Sequence, residues 1–130
     1  MDFTLAKSVL IVDDYAPIRC ALCDLFTLES DFDVCGEAEN GREAIAKAQE
    51  LHPDLIVMDL LMPVMNGLDA ARVLQRLMPN VPIIMFSEFT DAFAEEEAHS
   101  AGVCALVPKS AKASTLVGTA RSLLRHQMAA

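Results

Sequence analysis

The chain has 130 residues, 53% of them hydrophobic, and a formal net charge of −9 at pH 7. That size and apolar content suit one domain with one core, and the acidity argues against a surface for nucleic acid or anionic membrane. No apolar run approaches the ~20 residues of a membrane span, and the opening "MDFTLAKSVLIVDD" lacks the basic and then apolar regions of a secretory signal, so a cytoplasmic protein with reduced cysteines is expected.

Along the chain, short apolar runs alternate with amphipathic stretches. "SVLIVDD" reads as a buried strand ending in two acids, Asp13 and Asp14. "YAPIRCALCDLFTLES" reads as a helix, with Ile18, Leu22, Leu25 and Phe26 at helical spacing and Pro17 suited to its first turn. Its C-x-x-C, Cys20 and Cys23, is read as two small apolar residues. A redox pair opens its helix, where the N-terminus lowers the thiol pKa, and here Pro17 already holds the first turn. "FDVCGEA" is a second, more polar strand, nearer an edge. "NGREAIAKAQEL" is a helix with Ala44, Ala48 and Leu51 on one face, closed off by Pro53. "DLIVMD" is a third strand, apolar on both faces as a central parallel strand should be, and it runs into Asp59.

"MPVMNG" is a loop rich in breakers, and "LDAARVLQRLM" a helix with Leu68, Ala71, Leu74 and Met78 inward. "PIIMFS" is strand four, ending in Ser87. Thr90 or Asp91 caps a short acidic helix through Ser100, with Gly102 in its C-terminal turn. "VCALVP" is strand five, followed by Lys109. The last helix covers about residues 113–127, with Leu116, Ala120, Leu123 and Leu124 inward and Arg121, Arg125 and His126 toward its C-terminal end. His52, His99 and His126 show no metal-ligand spacing and are expected at the surface.

Five β-α units in alternation predict a doubly wound parallel sheet with helices on both faces and right-handed crossovers. Ligand sites in such sheets lie beyond the carboxyl ends of the strands, which is where Asp13, Asp14, Asp59, Ser87 and Lys109 all fall. Three carboxylates in one pocket repel and raise one another's pKa. Mg²⁺, which favours a few carboxylates plus water and phosphate oxygen, relieves that, and so does a lysine ammonium. Asp59 then reads as an oxygen nucleophile facing an electropositive cradle, suited to a phosphoryl group in flight. The product would be an aspartyl phosphate. Each residue alone has an ordinary explanation: a helix cap for Asp13 and Asp14, a loop serine, a solvated lysine. Their joint placement at the strand ends carries the inference.

"LIVDDYAPIR", "ENGREAIAKAQELHPDLIVMDLLMPVMNGLDAARVL", "PIIMFS" and "AGVCALVPKS" together resemble the receiver domain of two-component response regulators, over about residues 8–124. The phrasing is nearest to receivers of the helix-turn-helix DNA-binding regulators. The resemblance implies a flavodoxin-like five-stranded sheet in the order 2-1-3-4-5 with five helices. It implies that Asp59 is the phosphoacceptor and that Mg²⁺ or Mn²⁺ is bound by Asp13 and Asp14, with Asp14 and Asp59 direct ligands and the backbone carbonyl of Leu61 completing the shell. Ser87 and Lys109 would contact the phosphoryl oxygens. The donor would be a phosphohistidine on a sensor histidine kinase or phosphotransfer protein. The output surface would be helix four, strand five and helix five, offering a homodimer interface, with no direct nucleic-acid or membrane contact by this domain.

Three features depart from the family's pattern. Leu106 stands where strand five usually carries an aromatic switch residue that follows Ser87. Pro108 precedes Lys109, whereas a proline usually follows that lysine. Glu88 and Phe89 follow Ser87 where smaller or more polar residues are common. Residues 1–130 are expected to form one receiver domain with no output domain, either a stand-alone regulator or the receiver part of a transcription regulator. Such a chain is no enzyme beyond catalysing its own phosphorylation and dephosphorylation. Two rival readings are a phosphohydrolase working through an aspartyl phosphate, weakened by Leu61 where such enzymes place a second acid, and an unphosphorylated interaction module of the same fold, against which the full set of pocket residues argues.

Overall fold

The apolar runs pair into one sheet because strands apolar on both faces must be covered on both. A computed structural model describes residues 5–129, with side chains through His126. Its elements are β1 (Lys7–Val12), α1 (Ala16–Thr27), β2 (Phe32–Ala38), α2 (Gly41–Leu51), β3 (Leu55–Met58), α3 (Gly67–Leu77), β4 (Ile83–Ser87), α4 (Ala92–Ser100), β5 (Ala105–Pro108) and α5 (Ala113–Ala129). All strand pairs are parallel, in the order β2-β1-β3-β4-β5. This is the expected order. The polar strand β2 is at an edge and the wholly apolar β3 at the centre.

Alternate strand residues feed two cores. Leu10, Val12, Ile56, Met58, Ile83 and Met85 pack with Ala44, Ala71 and Leu74 of α2 and α3 and with Ala98 of α4. Val9, Ile11, Leu55, Val57, Ile84 and Val107 pack with Leu22 and Phe26 of α1 and Leu116 and Ala120 of α5. Of the inward residues expected for the helices, Leu22, Phe26, Ala44, Ala48, Ala71, Leu74, Leu116, Ala120 and Leu124 are buried, while Ile18, Leu25, Leu51, Leu68, Met78 and Leu123 are half-buried against the two cores; Ala70 and Val117 are buried as well.

Side-chain caps fix where α2, α3 and α4 begin. Asn40, Asn66 and Asp91 each accept from the backbone N–H three residues on, at 2.9, 2.9 and 2.8 Å, satisfying one orphan donor of each first turn. Asp91, rather than Thr90, is therefore the cap of α4. Pro17 lies in the first turn of α1 as expected. That helix stops at Thr27, short of the expected Ser30. A turn with Phe32 N–H on the Glu29 carbonyl (3.2 Å) diverts the chain into β2, and Phe32 meets Phe26 edge-on at 5.1 Å between ring centroids. β5 also begins later than expected. Gly102, at φ 92°, closes α4 while Val103 N–H bonds the Ala98 carbonyl, so Val103 belongs to the helix end and pairing resumes at Cys104 N–H on Ile83 O. No helix among the described residues is long and apolar enough to cross a membrane.

Candidate functional site

Parallel strands of one sheet end at one rim, and the crossovers leave it uncovered. Asp13 follows β1 and its N–H bonds the Ala38 carbonyl; Asp59 follows β3 and its N–H bonds the Val12 carbonyl at 2.9 Å. The Lys109 N–H bonds the Ser87 carbonyl, also at 2.9 Å, joining the ends of β4 and β5. The backbone ladder therefore sets the four strand ends side by side.

The side chains converge as the sequence led us to expect. Lys109 Nζ lies 3.2 Å from Asp59 Oδ2 and 3.3 Å from Asp13 Oδ2. Asp13, Asp14 and Asp59 each present a carboxylate oxygen within 4.8 Å of the others. Asp13 is 1% exposed and Asp59 buried, while Asp14 faces solvent. Asp59 Oδ1 accepts from Leu60 N–H at 2.8 Å, and Asp13 Oδ1 from Tyr15 N–H at 2.9 Å. Asp13 Oδ2 has no aligned hydrogen-bond donor, although Lys109 is close enough to neutralise it in part.

Burial, and then the Asp13 carboxylate, push the Asp59 carboxyl above the usual carboxylate range; Lys109 opposes them without prevailing. Burial works against the Lys109 ammonium, but Asp59 and Asp13 outweigh it and hold its pKa above the ordinary lysine value. The pocket thus carries more negative charge than one lysine offsets. A buried carboxylate oxygen with an ion pair but no aligned hydrogen bond, beside two further carboxylates, belongs to a donor set that fits a hard divalent cation.

Ser87 is buried at the same rim, but its hydroxyl accepts from the Phe89 N–H at 3.0 Å. It is engaged with the β4–α4 loop rather than with Asp59. Leu61, two residues after Asp59, is exposed. Leu106 is half-buried and packs against the core on the α4 side.

Several contributors were not legible as such. Arg19 reaches from α1 to the Asp13 carbonyl (2.8 Å) and to Glu37 (3.0 Å), fixing the end of β1 from behind. Gly67 opens α3 so close to the end of β3 that a Cβ there would collide with the Asp59 carbonyl oxygen; its N–H bonds the Leu60 carbonyl at 2.8 Å. Between them Val64 sits at φ 69° in a turn closed by Met65 N–H on Pro63 O at 2.7 Å. A β-branched residue is strained there. The glycine of the quoted loop was the only signal. The C-x-x-C lies inside α1, and burial, with help from Glu37, pushes the Cys23 thiol up to about 11, opposite to a reactive thiol. His52, His99 and His126 are exposed, as expected.

Residues 9–121 match the family of the response regulator receiver domain. The chain is 42% identical over 113 residues to the chemotaxis protein CheY of Thermotoga maritima, covering 87% of this chain and 93% of that protein. It is 37% identical over 119 residues to the response regulator protein VraR of Staphylococcus aureus, covering 92% of this chain but 57% of VraR, so it spans little more than half of that relative. A two-component response regulator of the LuxR family from Aurantimonas sp. SI85-9A1 has the same fold, with a TM-score of 0.89 and 26% identity over 93% of this chain and 86% of that one. Likeness at this level across nearly the whole chain goes with a shared fold and a shared family, and the chain belongs to the response regulator receiver domains of two-component signal transduction.

Proposed function

We propose that Asp59 accepts a phosphoryl group from a phosphohistidine of a sensor histidine kinase or phosphotransfer protein, and that the chain signals through the change of shape that follows. The observation that carries this reading is the under-compensated acid cluster: one ammonium, Lys109, between the buried Asp59 and Asp13, with Asp14 beside them. In the transfer, an Asp59 oxygen bonds to phosphorus as the phosphorus–nitrogen bond breaks, and the imidazole nitrogen leaves with the electron pair. Lys109 offsets charge on the phosphoryl oxygens, and the Ser87 hydroxyl turns toward them from the Phe89 amide. Asp13, Asp14, Asp59 and the Leu61 carbonyl would hold Mg²⁺ or Mn²⁺. When bound, the cation supplies charge neutralisation at the acceptor. The chain catalyses only its own phosphorylation and dephosphorylation, and acts in the cytoplasm.

Release of the Phe89 amide frees the β4–α4 loop to move. Leu106 has no ring to follow Ser87 inward, so it remodels less surface than an aromatic would. Coupling between phosphoryl binding and association through α4, β5 and α5 should fall below the ~1–3 kcal/mol typical of allosteric systems. Homodimerisation measured with and without beryllofluoride should respond more strongly in Leu106→Tyr than in the wild type; an equal response would remove Leu106 from the switch.

The chemistry is tested by intact mass after incubation with acetyl phosphate. A single labile phosphoryl addition is expected with Mg²⁺, lost on adding chelator and absent from Asp59→Ala. The same adduct in Asp59→Ala would overturn the assignment.

A further inference from the structure

The groove between α3 and α4 is apolar, open and close to the acceptor loop. It measures about 400 Å³ and is lined by Leu61, Leu68, Met85, Phe89, Phe93 and Leu106. Phe93 is 72% exposed, Leu61 58% and Phe89 49%. Leaving side chains of this size in water forgoes ~1.5–3 kcal/mol apiece compared with burying them. Three of them on one groove mark an interaction surface more strongly than isolated exposed residues would.

The charge at its margin says what kind of partner fits. Asp91 and Glu97 line the groove, Glu88 precedes α4, and Glu95 and Glu96 extend the acidic run along the helix. The nearby cation, Arg72, is already engaged by Asp69 at 3.0 Å and Glu97 at 3.6 Å. Asp91 also caps α4, yet one arginine shared between Asp69 and Glu97 leaves the margin net negative, so an acidic partner would be repelled and a basic one attracted. We infer that this groove docks a basic amphipathic helix of a partner protein, whose apolar stripe covers Phe89 and Phe93 and whose lysines or arginines face Asp91 and Glu97. This is helix-in-groove recognition, with aromatic anchors for affinity and charge for selection. The inference goes beyond the phosphoacceptor reading and does not depend on it.

The test uses the unphosphorylated chain and a designed helical peptide with leucine and phenylalanine along one stripe and lysines on its flanks. A second peptide carries glutamates in place of the lysines. Fluorescence anisotropy should show binding of the lysine peptide that weakens with added salt. Amide shifts should map to Leu61, Leu68, Phe89 and Phe93. Phe93→Ser, at a position too exposed to endanger the fold, should weaken binding by about tenfold or more, and Phe93→Leu should retain most of it. Equal binding of the glutamate peptide, no lysine-peptide binding below ~1 mM, or unchanged affinity in Phe93→Ser would each overturn the inference. So would a wild-type dimer that Phe93→Ser dissociates, since a second copy would then be the occupant.

Discussion

The two rims of the sheet use the same residue types to opposite ends. At the amino-terminal rim Asp54, Asp31 and Glu29 each meet donors. Asp54 Oδ2 accepts from the Ser8 N–H at 2.8 Å and the Ser8 hydroxyl at 3.2 Å, while the Asp54 N–H donates to Ser8 Oγ at 3.1 Å. Arg121 forks onto Asp31 at 2.7 and 2.9 Å, reaches Glu29 at 3.0 Å, and lies 5.8 Å from the centroid of the Phe32 ring. At the carboxyl rim three carboxylates gather around one lysine, which bridges Asp13 and Asp59, and Asp13 Oδ2 makes no aligned hydrogen bond. The first rim holds the fold. The second stores repulsion among its carboxylates that one lysine offsets only in part, which is how candidate sites differ from structural ion pairs.

That contrast predicts opposite signs for similar substitutions. The largest effect on stability is expected at the satisfied rim. Asp54→Ala strips both Ser8 donors of their acceptor, and denaturant unfolding should show a loss of about 1–2 kcal/mol, reduced from the fully buried case because water reaches the site. Asp59→Asn should instead stabilise the chain in chelator by on the order of 1 kcal/mol, because neutralising this carboxylate removes its repulsion with Asp13, part of which the open pocket already screens. A destabilised Asp59→Asn would mean that Lys109 over-compensates the cluster. Val64→Asn should also stabilise, by about 1 kcal/mol, since asparagine tolerates the left-handed backbone that strains valine; a neutral result would show that the γ-turn relaxes in solution.

The rims should also respond oppositely to acid. Burial and Asp13 raise the Asp59 carboxyl above its unfolded value of 3.8, so the folded chain binds this proton more tightly. Its penalty is in full force above the raised value and is relieved as pH falls toward 3.8. The Arg121 hydrogen bond lowers Asp31 below 3.8; stability from that pair is present above 3.8 and is lost as pH falls through the lowered value. Unfolding free energy measured against pH in chelator should therefore lose the first component in Asp59→Asn. The second should vanish in Arg121→Ala, the smallest of these effects because Arg121 is solvent-facing. Identical pH profiles for the wild type and both variants would dissolve the contrast.

Much of the candidate site was legible because a β-α ladder has strong periodic signals and because parallel strands end together. Asp13, Asp14, Asp59, Ser87 and Lys109 could be assigned to one rim without coordinates. The order 2-1-3-4-5 was carried by resemblance, since alternation alone leaves strand order open. The helix starts at Asn40, Asn66 and Asp91 follow from local cap chemistry, yet Thr90 and Asp91 could not be separated, because only the folded backbone shows which side chain reaches an amide.

The element rhythm, the two apolar faces of the sheet and the gathering of acids with a lysine at one edge were all written in the residue order. These depend on side-chain periodicity and on chain direction, both local properties. Packing set the rest: the Ser87 hydroxyl held by the Phe89 amide, the Asp13 oxygen paired with Lys109 without an aligned hydrogen bond, the collision that keeps residue 67 a glycine, the strained turn at Val64, and the clamp of Arg121 across 90 positions to Asp31. Each depends on a distance between groups that no spacing along the chain sets, and becomes definite only when packing places both partners.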